Sequence, residues 1–116
     1  MNLTRLLEWQ WQGYPRYHGS RANLLIHIVA VPLFLAGNVA LVLALWRGAW
    51  PLALVALSGM GVSLALQGRG HRMEQVPPEP FAGPGQALAR LFFEQWLTFP
   101  RFVLSGGFRR ALATAR

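Results

Sequence analysis

The chain has no cysteine, no lysine and no aspartate. Without thiols there is no disulfide, no thiolate metal site and no cysteine nucleophile, so any metal must be held by histidine, glutamate or backbone oxygen. Every ionic contact must use arginine or glutamate, and these are scarce as well: charged residues make up 13% of the chain, where a soluble domain carries about a quarter. Hydrophobic residues make up 53%, far too many for a disordered segment. The 116 residues leave room for one domain. What charge exists is one-sided, with eleven basic residues against four acidic and a net charge of +7. Such a balance often marks a nucleic-acid binder, but the arginines are spread out and no basic run is interleaved with aromatics. Nucleic acid is therefore not expected as a partner. The charge is read as topological, with a minor role at lipid headgroups.

The chain does contain long apolar runs. Leu24 to Trp46 carries no charge and is longer than the roughly 20 residues a helix needs to cross a bilayer. Arg47, Gly48 and Ala49 interrupt it, and Trp50 to Leu66 follows as a shorter uncharged run. Two spans with so short a connection can only form an antiparallel hairpin, and Trp46 and Trp50 at the turn suit the membrane interface. The residues before Leu24 lack the layout of a signal peptide, so retention of the first span is expected. Three arginines precede the hairpin, one lies in its turn and seven follow it, which places both termini in the cytoplasm, at the inner membrane if the source is bacterial.

Leu3, Leu6, Leu7, Trp11 and Tyr14 recur at helical spacing, predicting an interfacial helix over 1–14 that Gly13 and Pro15 end. The Pro- and Gly-rich stretch 76–85 reads as a loop. From 86 to 105 a helical pattern returns with one polar stripe, in which Arg90 and Glu94 are placed to pair, and Pro100 should kink it. A basic, frayed tail is expected over 106–116. The fold class is all-α: a small integral membrane protein made of a transmembrane hairpin, an N-terminal interfacial helix and a C-terminal amphipathic or membrane-embedded helix.

Chemistry is concentrated in three histidines. Folding the hairpin about Gly48 brings His27 within about one turn of His71. His18 precedes the first span, and Gly19 and Ser20 offer a bend that can turn it inward. Asn23 shares a face with His27, and Glu74 would share one with His71 if the helix continued. Three imidazoles and a nearby carboxylate can hold a divalent ion with positions left open, a set closer to mononuclear non-haem iron than to closed structural zinc. Three histidines also suit zinc. Each residue has a plainer reading too: His27 as a hydrogen-bonded packing residue, His18 as an interfacial side chain, Glu74 as a partner of Arg69 or Arg72, Tyr17 as an interfacial anchor. Asn38, deep in the span, reads as a helix-to-helix hydrogen bond.

Tyr17-His18, Asn23, His27 and Pro32, followed by Gln67, Gly70-His71, Glu74 and Pro77-Pro78, resemble the Mpo1-like family over most of the chain. The resemblance implies an iron(II)-dependent membrane dioxygenase that shortens 2-hydroxy fatty acids by one carbon. It carries metal ligation over to His18, His27 and His71, leaves Glu74 as a fourth ligand or base, and makes Tyr17, Asn23 and Gln67 candidates for supporting or substrate contacts. Arg69 and Arg72, which flank His71, are candidates to attract an anionic substrate. Molecular oxygen, a fatty acid or other lipid, and membrane lipids are the expected partners. Two readings from other classes stand beside it: a haem-binding electron carrier with two axial histidines, and a membrane scaffold without catalysis.

Overall fold

The computed structural model describes residues 2–116. Its first helix, α1 (Leu3–Tyr17), starts where the Asn2 side chain accepts from the Arg5 backbone N–H. It continues through Gly13 and Pro15, past the expected end at 14, because the proline lies in the last turn and can disturb only the turn before it. The chain then breaks over 18–20 and enters α2 (Arg21–Arg47), capped by the Ser20 side chain.

Gly48 ends α2 in the left-handed conformation (φ 64°), and its N–H returns to the carbonyls of Ala44 and Leu45. Glycine bears this φ without the steric cost of a Cβ. The chain reverses into α3 (Trp50–Arg72), with Pro51 in the first turn. The two helices pack along a seam of small residues: Ala30, Gly37 and Ala44 on α2, and Ala53, Ala56, Ser63 and Gly70 on α3. Ser63 donates across the seam to the Ala30 carbonyl. A Cβ on Gly37 would lie 2.7 Å from Met60 Cγ, and one on Gly70 would overlap the Asn23 amide oxygen, so the backbones approach where only glycine fits. α3 extends beyond the expected 50–66 because Gln67 and Gly70 are buried against this seam, offsetting the roughly 1 kcal/mol that each glycine costs a helix. Both helices are long and apolar enough to cross a membrane. Among the described residues no strand occurs, and the all-α expectation holds.

A loop leads to α4 (Pro84–Phe93), a π-helical turn (Glu94–Thr98) and α5 (Phe99–Leu104). Instead of a simple kink at Pro100, the helix widens just before it. Proline lacks an N–H and its ring crowds the carbonyl four residues back, and the π-turn absorbs that conflict, with the Phe99 N–H bonding the Glu94 carbonyl. Gln10 of α1 spans the turn, donating to the Arg90 carbonyl at 2.7 Å and accepting from the Thr98 hydroxyl at 2.9 Å. Trp96 donates to Asn38, so that asparagine does bridge helices.

The segment 106–116 is ordered rather than frayed. It forms α6 (Gly107–Thr114), whose Phe108, Ala111 and Leu112 pack on the core made by Tyr14, Leu24, Val31, Phe99 and Phe102. Arg116 pairs its backbone with Gly19 and Arg21. That docking depends on surfaces remote in sequence, which local composition does not show.

Candidate metal centre

Three separate segments deliver the histidines to one point. His18 caps α1, and its Nδ1 lies 2.8 Å from the Tyr14 carbonyl. His27 sits on the second turn of α2 with Nδ1 3.0 Å from the Asn23 carbonyl. A carbonyl oxygen only accepts, so both Nδ1 atoms carry the proton and both Nε2 atoms present a lone pair. His71, in the last turn of α3, leaves its Nδ1 buried without a partner. The three rings form a near-equilateral triangle, with centroids 4.8, 4.9 and 5.0 Å apart, each edge-on to the next.

The fourth member is Glu94. The π-turn points its Oε2 at the triangle, 3.7 Å from His18 Nε2 and 4.0 Å from His27 Nε2. Neither contact is a hydrogen bond, and both Nε2 atoms are buried without a partner. Burial first, and then the proximity of His27 and His71, hold the His18 imidazole well below the usual histidine range, so it is neutral near pH 7 and its approach to Glu94 is not an ion pair. Lone pairs therefore face a carboxylate across a small gap. Such an arrangement is repulsive unless a cation, either a metal ion or a proton taken up by Glu94, stands among them. The candidate ligand atoms of His18, His27, His71 and Glu94 all lie within 4.8 Å of one another. Two atoms each about 2.1 Å from one ion lie at most about 4.2 Å apart, so the widest pair needs to close by well under an ångström. The donor set fits a divalent metal.

Tyr14 supports two of these groups at once. Its hydroxyl donates to Glu94 Oε2 at 2.9 Å, and its ring stacks on His18 with centroids 3.9 Å apart. Burial, reinforced by the neighbouring Glu94 charge, pushes its hydroxyl well above the ordinary tyrosine value, which keeps it a donor. Burial also raises the Glu94 carboxyl, against the Tyr14 hydrogen bond and the Arg90 charge.

Glu74 does not join the cluster. α3 ends at Arg72, and the Glu74 carboxylate turns to accept from the backbone N–H groups of Gly19 (2.9 Å) and Ser20 (3.1 Å) and from the Asn23 amide (2.7 Å). It thereby fixes the bend that aims His18, with Arg116 3.7 Å away. Asn23 acts on the centre through its carbonyl to His27 and through this clamp. Gln67 is buried in a reciprocal amide pair with Gln95 (2.9 and 2.8 Å), beside the π-turn. Tyr17 lines the adjoining cavity, but Tyr14 is the tyrosine that reaches the ligands. Arg72 lines the cavity too; Arg69 is exposed and does not.

The expected Arg90–Glu94 pair is absent. The Arg90 guanidinium bonds the carbonyls of Glu79 (2.8 Å) and Pro80 (3.1 Å) and lies over the rings of Trp9 and Phe81. The four backbone and aromatic contacts outcompete a helical neighbour whose carboxylate is turned inward. Glu94, Tyr14, Gln95 and Gln10 are the residues that sequence reasoning missed. The signal for Glu94 was present, as a lone acid in an apolar helix.

Beside the cluster lies a cavity of about 940 Å³, walled by one face each of α1, α3 and α4 and by the loop between α3 and α4. Compared with known proteins, the chain matches no family model, no curated protein and no solved structure.

Proposed function

We propose that the protein is a membrane-bound, metal-dependent oxygenase of long-chain lipids, in which His18, His27, His71 and Glu94 hold iron(II). The observation that carries this reading is the inward-facing set of unpartnered histidine nitrogens opposite the Glu94 carboxylate. Resemblance to the Mpo1-like family supports the choice of iron and a 2-hydroxy fatty acid as substrate. An iron(II) centre with three imidazoles and one carboxylate keeps positions open and supplies the redox chemistry that molecular oxygen requires.

The chain's own residues account for the remaining steps. Cavity walls such as Leu64, Leu88 and Leu91 take an alkyl chain and exclude water. Arg72 at the cavity attracts the carboxylate. Tyr14 keeps a proton at its hydroxyl and, through it, holds Glu94 Oε2 in place. The exposed apolar faces of α2 and α3, with only 28% and 22% of their most apolar windows buried, support a membrane setting, and the arginine distribution supports cytoplasmic termini. A porphyrin between two histidines is disfavoured, because rings within 5.0 Å of each other leave no slot for a macrocycle.

Anaerobic reconstitution with iron(II), followed by oxygen uptake on 2-hydroxypalmitate, tests the proposal. One bound iron per chain and oxygen consumption that yields the shortened acid are expected. Protein that binds iron but leaves the hydroxy acid unchanged would refute the lipid oxygenase reading, and failure to bind any divalent metal would refute the centre itself.

A further inference from the structure

The cavity is bounded on one side by Leu64 and Gly68 of α3 and on the other by Leu88 and Leu91 of α4. α4 rests mainly on α1 and the π-turn, and the space beside α3 stays open. Gly68 is exposed, and a Cβ built on it meets nothing within 4 Å. Gly70, two residues on, is glycine because Asn23 presses against it. No such contact explains Gly68, which, unlike the equally uncontacted Gly61 on the same helix, lines the cavity. Leu88 across the gap is 69% exposed, like the outward apolar residues of α2 and α3 that would face lipid.

Depth gives the opening its meaning. Gly68 lies one turn, about 4.5 Å, from His71 toward the hairpin tip, and Leu64 about 6 Å further. Both belong to a helix apolar enough to cross the bilayer. The cavity thus runs from a polar end, with the histidine cluster and Arg72, to an apolar side facing the hydrocarbon level. We propose that this gap is a lateral doorway through which the single alkyl chain of a membrane-dissolved carboxylic acid reaches the cluster, and that Gly68 determines which chains pass. The inference rests on the membrane setting proposed above.

Charge and size select this occupant. Arg72 and Arg90 line the cavity together with Glu74, Glu79 and Glu94. Glu74 is held by the Gly19 and Ser20 backbone, Glu94 by Tyr14 and Arg90 by two loop carbonyls, which leaves Arg72 as the cation open to a carboxylate. A volume of about 940 Å³ lies at the upper end of small-molecule sites, about 300–1,000 Å³, which suits one chain rather than a two-chain phospholipid. A side chain at position 68 would project into the gap without touching the protein's interior, so it should narrow the doorway and leave the fold intact.

The test uses metal-free protein in phosphatidylcholine vesicles with hexadecanoic acid bearing a diazirine at its terminal carbon. Adducts are mapped by mass spectrometry after illumination. Wild-type protein should carry adducts on the segments containing Leu64 and Leu88–Leu91, and Gly68→Phe should reduce them about tenfold relative to adducts at outward residues such as Val42 and Val55. Leu88→Trp, which narrows the gap from the other wall, should do the same and covers the case in which Gly68→Phe does not fold. Adducts confined to outward faces in wild type, or cavity adducts unchanged in both variants, overturn the proposal. Cobalt(II) uptake by the same wild-type preparation separates the two readings: cobalt bound without cavity adducts removes the doorway alone, and cavity adducts without cobalt binding leave the doorway standing and remove the metal centre.

Discussion

Tyr14 touches two of the four candidate ligands, His18 and Glu94, and the two contacts can be separated. Tyr14→Phe keeps the ring on His18 and removes the donor to Glu94 Oε2. Outer hydrogen bonds of this kind are worth about 10- to 100-fold in metal affinity. A cobalt(II) titration should therefore show weakening of that order and a changed visible spectrum, whereas an unaltered spectrum would mean that the hydroxyl does not act on the site. Glu74 behaves differently, because its carboxylate holds backbone. Glu74→Gln weakens charge-assisted hydrogen bonds worth about 1.5–3 kcal/mol each, so thermal unfolding should occur several degrees lower while one metal per chain is still bound. Loss of metal at full stability would instead make Glu74 a ligand. Acidity tests His18. The folded chain protonates it only well below 6.5, and the unfolded chain does so near 6.5. Between those values the unfolded state binds more protons, so metal-free protein should lose stability as pH falls below about 6.5 and gain nothing from His18 above it. Glu94 works the other way, since its raised value lets the folded state take up a proton first, and it softens the loss. A melting temperature in detergent that rises steadily from pH 7 to 5.5 would contradict the neutral, buried His18.

The element that shapes the site is the π-turn. An ordinary α-helix through 94–98 would rotate Glu94 off the triangle or Gln95 off Gln67, and Pro100 prevents that by denying the Trp96 carbonyl its partner. Pro100→Ala removes the obstacle, and proline in a helix interior costs about 3 kcal/mol. The variant should melt no lower than wild type yet bind cobalt at least tenfold more weakly, and undiminished binding would show that Gln10 and Gln95 hold the turn without proline's help. This also explains what was legible in the sequence. A hairpin is symmetric about its turn, so placing His27 opposite His71 needed only the position of Gly48. The helical spacing rule gave Glu94 to Arg90, but a π-turn breaks that spacing, and Arg90 found Trp9, Phe81 and two loop carbonyls instead. α3 does continue through Gly70 and His71, but it stops at Arg72, so Glu74 lies beyond the helix and its side chain is free to turn to the Gly19 and Ser20 backbone. α6 escaped notice because its order comes from docking on Phe99 and Phe102.

At the scale of the molecule, the small-residue hairpin is the frame, and α1 and the α4–α5 helix are laid against one end of it. No single segment contains the site: α2, α3, the π-turn and the bend after α1 each contribute one side chain. An ion held by four separate segments would fasten the fold. Bound metal should therefore raise the unfolding temperature in proportion to the logarithm of its concentration above the dissociation constant. The most direct measurement is anomalous diffraction at the iron edge from crystals of protein reconstituted without oxygen. A shared four-ligand site requires one peak about 2.0–2.2 Å from a nitrogen of each of His18, His27 and His71 and from a Glu94 oxygen. A peak elsewhere, or three imidazoles left with no shared ion at saturating iron, would contradict it.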